Sequence, residues 1–383
     1  MKVLYSTQSV IEYDGKHYYN NAVKATYPRY LTLGNEITVL THVENVITPR
    51  SEMIEDDVVK FVFIDKINSI ISLLKRGRIK NIIEEEVKKT DVCVVHMNLH
   101  GVIVIECAKK FNKPVLSVVG SCAWNEYWYY NWKGKLIAPF AFLCVRKAQK
   151  NVPFSIYVTN HYLQRRYPTT GKWIACSNVN MKTGDESALV KRLNNINSRQ
   201  LSGRCYKIGT SASIDVTYKG HEYVIKSLGE LKKNGIIIEY HLLGKGDPSR
   251  LEKIALKHNV AAQIFFHGGV PYNEVIGFLD DIDIYIQPSL TEGLPRALIE
   301  AMSRGCLCIG TNAGGIPELL SSEYIVPTRN SSMIAKILMS LNISQLIDQA
   351  KINFEKAKEY DREVLNNKRN LFLNDIKLIL TQQ

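Results

Sequence analysis

The sequence predicts an α/β protein made of two doubly wound units in tandem with a helical C-terminus. Three observations carry that expectation. Short β-rich runs alternate with longer stretches of helical spacing along almost the whole chain, the pattern of βαβ units and mostly parallel sheets. The 383 residues exceed what one core ordinarily serves, since domains run to ~100–200 residues. A polar, Asn/Ser-rich stretch at 181–202 then interrupts the alternation as a linker would. The units are therefore expected at 1–190 and 200–360, with a last helical piece, 361–383, as a candidate to cross back to the first unit. In such architectures ligands bind at the carboxyl ends of the strands, here in a cleft between the units.

In the first half, strands are expected at 2–6, 36–41, 58–64, 91–96, 114–119 and 155–158, with helical spacing over 67–89 and 102–111. The second half repeats the rhythm, with strands at 204–209, 236–243, 263–266, 282–286, 307–309 and 324–326. Helices are expected between them at 221–233, 249–258, 272–279 and 295–304. The stretch 332–380 reads as two or three helices without strands.

Composition narrows the class. Hydrophobic residues are 45% and charged residues 22%, a globular balance. The longest clean apolar run, 136–145, has half the ~20 residues a spanning helix needs. The first residues lack the apolar core of a signal peptide, so a cytoplasmic address is expected. The eight cysteines contain no Cys-x-x-Cys pair and read as reduced, mostly buried thiols.

The net charge of +12 is uneven. Residues 101–200 hold 15 Lys/Arg against 4 Asp/Glu, net +11, whereas 201–383 hold 21 against 20, net +1. Such asymmetry points to an anionic partner. Trp124, Trp128 and Trp132 fall in the same stretch, followed by the apolar run and then Arg146, Lys147 and Lys150. Amphipathic rings beside cations suit the headgroup layer of an anionic membrane, at roughly 1 kcal/mol per charge. An aromatic-rich loop closing over the protein's own cleft, followed by a core helix, is the other reading. No basic recognition helix, zinc finger or RNA-binding signature accompanies the patch, so nucleic acid is not expected as a partner.

The segment that carries chemistry is Gln287–Met302. It leaves an expected strand and opens an expected helix with Pro295 in the first turn, where free amides and the helix dipole make an anion site. Glu292 lies just outside that helix and Glu300 about two turns along it. Both could reach one ligand, and carboxylates beside a phosphate site find natural partners in vicinal sugar hydroxyls. Taken alone, the same residues read first as a helix cap and a solvated helix position, since the spacing is common by chance.

The context is more specific. The run Pro288-Ser289, Glu292-Gly293, Glu300-Ala301-Met302, Gly305 and Gly314-Gly315-Ile316-Pro317-Glu318 resembles the donor-site signature of the retaining glycosyltransferases of family 4, which have the two-domain GT-B fold. Tyr218-Lys219-Gly220-His221, Leu242-Leu243-Gly244-Lys245-Gly246 and Phe266-His267-Gly268-Gly269-Val270 are similar to that family's preceding landmarks. The resemblance covers roughly residues 204–320.

It implies that Lys219 holds the donor diphosphate and that Glu300 grips the ribose hydroxyls. It further implies that Glu292 stands near the transferred sugar, that Gly293, Leu294, Arg296 and Ala297 line the sugar and diphosphate, and that Gly269 and Val270 meet the base. No metal is implied, since a lysine and helix amides neutralise the diphosphate and no Asp-x-Asp clamp stands at a strand end. A nucleotide-diphosphate sugar is the implied co-substrate, UDP-linked before GDP-linked.

Two departures stand in the donor signature. The turn 209–218 has no arginine some six residues before the lysine, and Pro295 stands where many members have glycine. In the first half, the expected glycine-rich loop is reduced to 13–17. Gly120-Ser121 follow the strand after which a histidine is often found. No catalytic base is therefore assigned, and His96, His100 and Glu126 are weak candidates. The stretch 157–168 resembles a subset of bacterial polysaccharide-assembly transferases, in which Arg165 and Arg166 would meet acceptor phosphate or simply form a solvated basic face.

The expected activity is retaining transfer of a hexosyl or N-acetylhexosaminyl group to a lipid-diphosphate-linked glycan at the inner face of the membrane, for O-antigen, capsule or exopolysaccharide synthesis. A non-hydrolysing nucleotide-sugar epimerase and a non-catalytic nucleotide-sugar-binding scaffold are the alternatives.

Overall fold

The computed structural model describes residues 1–55, 58–65, 76–202 and 205–382. The part of the expected 67–89 helix at 67–75, and the start of the 204–209 strand, lie outside the described residues. The chain divides into two compact units, Met1–Cys176 with Asn366–Gln383, and Ser177–Leu365.

The first unit is built on a sheet of β1 (Lys2–Tyr13), β2 (Tyr18–Tyr19), β3 (Glu36–Asn45), β4 (Val59–Phe63), β5 (Val92–His96), β6 (Val115–Val119), β7 (Phe154–Tyr157) and β8 (Lys172–Ala175). Its order is β4-β3-β1-β5-β6-β7-β8, with β2 folded back antiparallel on the end of β1. Strands β6 and β7 are buried along their whole length, as expected of a parallel sheet covered on both faces. The reduced loop at 13–17 is the turn of the β1–β2 hairpin. The Asp14 carboxylate closes it by accepting from the backbone of Lys16 (2.8 Å) and His17 (2.7 Å) and from the Tyr19 hydroxyl (2.7 Å).

The second unit carries β9 (Lys207–Ser211), β10 (Glu239–Leu243), β11 (Ile264–Gly268), β12 (Ile284–Gln287), β13 (Leu307–Thr311) and β14 (Ile325–Val326). All are parallel, in the order β11-β10-β9-β12-β13-β14. The chain winds outward from β9 through β10 to β11, then returns to the other side of β9 with β12. The two β–α connections that leave β9 and β12 therefore diverge, which opens a crevice at their carboxyl ends. Ile208, Tyr240, Leu242, Ile284, Ile286 and Ile309 form the centre of the core beneath that crevice. Each such side chain contributes about 1.5–3 kcal/mol by leaving water.

The expected linker is a correction. Residues Glu186–Ser202 form a helix, and the boundary between units falls at Cys176–Ser177 rather than between 190 and 200. Ala188, Arg192 and Ile196 are the buried stripe of that helix, spaced four apart. The stripe looks polar because Arg192 occupies its middle. Its guanidinium is buried, and it donates to the carbonyls of Arg304 (3.0 Å), Leu279 and Ile282. Beyond the second sheet come three helices, Ser331–Ser340, Ile343–Lys358 and Arg362–Thr381.

Candidate active site

The site is built at the carboxyl ends of β9 and β12. Strand β9 ends at Ser211, and the chain passes through Ala212–Val216 into a short 3-10 turn, Thr217–Lys219. Gly220 then starts the helix His221–Lys233 with φ at +74°. Only glycine suits this position on two counts: the backbone is left-handed, and a Cβ would collide with the Pro288 carbonyl. The amide of Leu290 donates to the Tyr218 carbonyl at 2.7 Å. The connection carrying Lys219 is thus locked against the connection carrying Glu292.

On the β12 side, Pro295 has extended backbone (ψ 113°) and caps the helix Arg296–Ser303. It stands one residue outside the first turn in which the sequence places it, because the first intrahelical bond runs from the Ile299 amide to the Pro295 carbonyl. Gly314 backs the loop: its φ is +59°, and a Cβ there would meet the Glu292 carbonyl. The Gly315 amide donates to the Gly293 carbonyl at 2.8 Å. The paired glycines of the sequence signature are therefore the surface on which the Glu292 loop rests.

These constraints fix a bonded cluster. Lys219 Nζ donates to Glu292 Oε1 at 2.7 Å, and the same oxygen accepts from Ser289 Oγ at 2.7 Å and Gln287 Nε2 at 3.1 Å. All three bonds fall on one carboxylate oxygen. Glu300 is 4% exposed, and its carboxylate faces Arg296 Nε at 3.5 Å. Burial raises its pKa above the ordinary carboxylate value, and Arg296 opposes the rise. Lys219, Glu292, Leu294, Arg296, Ala297 and Glu300 line one cavity of about 500 Å³. That size falls within the ~300–1,000 Å³ of small-molecule sites.

Gly269 and Val270 form another wall of the same cavity. Gly293, expected on the same wall, is not among the lining residues; its carbonyl instead accepts from the Gly315 amide behind the loop.

Four side chains on this cavity were not singled out by sequence reasoning. Ser211 and Ser213 line it from the 209–218 turn. Tyr272 opens the helix Tyr272–Asp281 and stands close enough to Glu300 for its charge to be felt. Lys245 follows β10, and its aliphatic stem lies over Gly269, where any side chain would displace it. Its position between two glycines was the available signal. His221 shapes the turn rather than facing ligand. It is fully buried, with its ring nitrogens 3.0 Å from the Ser213 carbonyl and 3.1 Å from the Tyr240 hydroxyl, and burial pushes its pKa down to about 4. Asp281 and Asp283 sit at the opposite, amino ends of the strands, where they accept from the Lys207 ammonium and the Lys207 backbone amide, each at 2.8 Å.

The first-half candidates lie in the first unit. His96 Nε2 is 3.3 Å from the Tyr5 hydroxyl and burial pushes its pKa down to about 4. His100 is 3% exposed and packs edge-on against His42. Glu126 accepts from Ser121 Oγ. Arg166 stacks on the Phe142 ring at 4.6 Å and donates to Cys122 Sγ at 3.3 Å, so it is turned inward, whereas its neighbour Arg165 is exposed. The three tryptophans also separate. Trp124 and Trp128 are half-buried and stacked at 5.5 Å, while Trp132 is 70% exposed.

Two Rossmann-like sheets, a helical C-terminus and a half-buried carboxylate–lysine cluster at a strand switch point define a two-unit fold of the GT-B type. Comparison with known proteins agrees. Residues 206–359 match the family model described as glycosyl transferases group 1. The chain is 31% identical to protein CapJ of Staphylococcus aureus over 372 residues, 94% of this chain and 88% of that protein. It is 33% identical over 134 residues to the amylovoran biosynthesis glycosyltransferase AmsK of Erwinia amylovora, 32% of this chain and 33% of that one. In structure it matches HepE of Anabaena in complex with UDP, with a TM-score of 0.68 over the whole of both chains at 13% identity. The chain belongs to the glycosyl transferases group 1 family, and it is a glycosyltransferase.

Proposed function

We propose that this chain transfers a hexosyl or N-acetylhexosaminyl group from a nucleotide-diphosphate sugar, with retention of anomeric configuration, to a glycan carried on a lipid diphosphate, as a step in bacterial surface-polysaccharide synthesis. The observation that carries the reading is the Lys219–Glu292 pair standing with buried Glu300 on one cavity at the switch point. The amylovoran biosynthesis in the name of AmsK supports the polysaccharide context, and the UDP held by HepE supports a uridine donor.

The placement of these residues on one cavity supports the following roles. Glu300 accepts from the ribose hydroxyls, and Val270 and Tyr272 meet the base. Lys219 lies against the diphosphate, where charge gathers as the sugar–phosphate bond breaks, and the amides opening the helix Arg296–Ser303 add to it. Such fixed donors stabilise the transition state more than the ground state. Lys245 supplies the second cation that the arginine-free turn lacks. Glu292 Oε1 is already engaged by three donors, which leaves Oε2 to hold a hydroxyl of the transferred sugar. The acceptor oxygen bonds to the anomeric carbon on the face the phosphate leaves, and its proton passes to a departing phosphate oxygen. No side-chain base is required. Because the chain supplies its own cations, turnover is expected to survive EDTA.

The first unit supports a place at the inner face of the membrane. Its helix Trp132–Gln149 exposes Trp132, Leu136, Phe140 and Leu143 along one stripe (70%, 75%, 56% and 62% exposed) beside Lys133, Lys135, Arg146 and Lys147. This stripe replaces the Trp124–Trp128–Trp132 group as the face offered to lipid.

The test is a thermal titration with UDP, GDP, ADP, TDP and CMP and their sugar conjugates. A ligand at ~100 times its dissociation constant adds about 2.7 kcal/mol of stability. Stabilisation by one base, lost in Glu300→Gln, is the expected result. Stabilisation by none overturns the donor site and leaves the scaffold reading. Turnover of the nucleotide sugar without any acceptor would replace transfer by epimerisation.

A further inference from the structure

A second cavity, of about 660 Å³, lies within the first unit and belongs to no part of the donor site. Its walls are Val102 and Ile105 from the helix Leu99–Lys110, Phe140 from the helix Trp132–Gln149, Val115 at the first position of β6, and Val152 and Pro153 just before β7. It therefore opens at the amino ends of β6 and β7. In a parallel α/β sheet, substrates gather at the carboxyl ends. An acceptor glycan is not the ligand this edge would serve.

The cavity is apolar inside and cationic at its mouth. Lys109, Lys113 and Lys147 line it against a single carboxylate, Glu106. Phe140 belongs both to its wall and to the exposed stripe of Trp132, Leu136 and Leu143, so the opening is continuous with the face the chain offers to lipid. A ligand that fits must bring a hydrocarbon body for the interior, an anion for three ammonium groups, and a source at the surface on which the stripe lies. An anionic phospholipid meets all three requirements. Neutral lipid lacks the anion, and a free phosphate lacks the body.

We propose that this cavity takes one acyl chain of an anionic phospholipid, whose phosphate is met by Lys109, Lys113 and Lys147. A single bilayer lipid then pins the first unit to the membrane by its edge remote from the strand carboxyl ends. The proposal rests on the membrane-surface reading above, and it makes the contact specific for one lipid instead of a general partition of apolar side chains.

The test uses the full chain incubated with vesicles of phosphatidylcholine alone or mixed with phosphatidylglycerol, extracted in mild detergent and weighed by native mass spectrometry. One phosphatidylglycerol retained per chain is expected. Ala148→Phe, which puts a ring into the cavity from its half-buried wall position, should abolish retention with its melting temperature checked alongside. Lys109→Ala, Lys113→Ala and Lys147→Ala should each weaken retention on the order of 5-fold. Equal retention of phosphatidylcholine, retention undiminished in Ala148→Phe, or no retained lipid would overturn the proposal. Vesicle sedimentation of Ala148→Phe and of Leu136→Ala reads the stripe separately. Transfer to a water-soluble acceptor, unchanged in Ala148→Phe, reads the catalytic proposal separately.

Discussion

The two units share a plan and differ in what they do with their polar groups. In the second, the central side chains of the candidate site are tied to one another. Lys219 is bonded to Glu292, Glu292 to Gln287 and Ser289, and the loops that carry them are pressed together at Gly220 and Gly314. In the first unit a polar group near a strand end is packed away, as with His100, and the cations and large apolar residues of the helix Trp132–Gln149 are exposed instead. Bond-breaking needs fixed charge, and fixed charge needs specific spacing. Lying on a surface needs only a face.

That contrast can be broken at its strongest point first. Lys219→Ala removes the cation proposed to face the leaving group, and on that proposal turnover should fall on the order of 10²–10³-fold. Donor binding should fall by less, because the ammonium matters most in the transition state. Steady-state kinetics with a water-soluble acceptor separates the two effects. If kcat is unchanged, Lys219 serves only to hold Glu292.

Lys245→Ala tests whether the arginine-free turn is compensated. A bond to a charged group is worth ~1.5–3 kcal/mol, so donor affinity should weaken about 10- to 100-fold. Calorimetry with the preferred nucleoside diphosphate gives the number. An unchanged affinity would hand the second-cation role to Ser211, Ser213 and the backbone amides around them.

On the first unit, Leu136→Ala and Phe140→Ala should each lower sedimentation with anionic vesicles up to about 10-fold, the loss of part of an apolar side chain's ~1.5–3 kcal/mol. Neither should alter transfer to a soluble acceptor. Trp128→Ala is the sharper control: its ring is stacked on Trp124, so it should cost stability rather than membrane binding. Equal losses of sedimentation in all three would return the membrane face to the tryptophan cluster.

Why one unit was legible and the other was not follows from the same contrast. Glu292, Glu300 and Lys219 could be named because they stand in a recognisable family signature, and the βα turns that hold them admit few residues: glycine at 220 and 314, and a helix opening at 296. Strand and helix alternation was likewise readable, because buried parallel strands such as β12 and β13 are continuous apolar runs. The helix Glu186–Ser202 was lost to an apparent linker because a charged residue, Arg192, fills its buried stripe by donating to carbonyls remote in sequence. The exposed stripe was not legible for the complementary reason. Composition marked the Trp-rich segment as a whole, and only the helical phase separates Trp132 from Trp124 and Trp128.

The finest test lies within the donor site and uses pH. Burial raises the Glu300 pKa above its ordinary value. The folded protein therefore keeps this proton in a pH range where the unfolded chain, at ~4.3 for a free glutamate, has lost it. The native state binds more protons there, so the stability this group contributes is present at low pH and is lost as pH rises through the raised value. Donor binding runs the other way. Ribose hydroxyls donate to the ionised carboxylate, so nucleotide affinity should fall as pH drops through the same range. One group should thus move stability and affinity in opposite directions, a pattern that a general loss of folding at acid pH would not produce. Glu300→Gln should flatten both profiles while leaving the fold intact. Thermal midpoints with and without the preferred nucleotide, taken from neutral pH down to the ordinary carboxylate range, measure both at once. Parallel profiles in the wild type, or profiles unchanged in the variant, would remove Glu300 from the ribose.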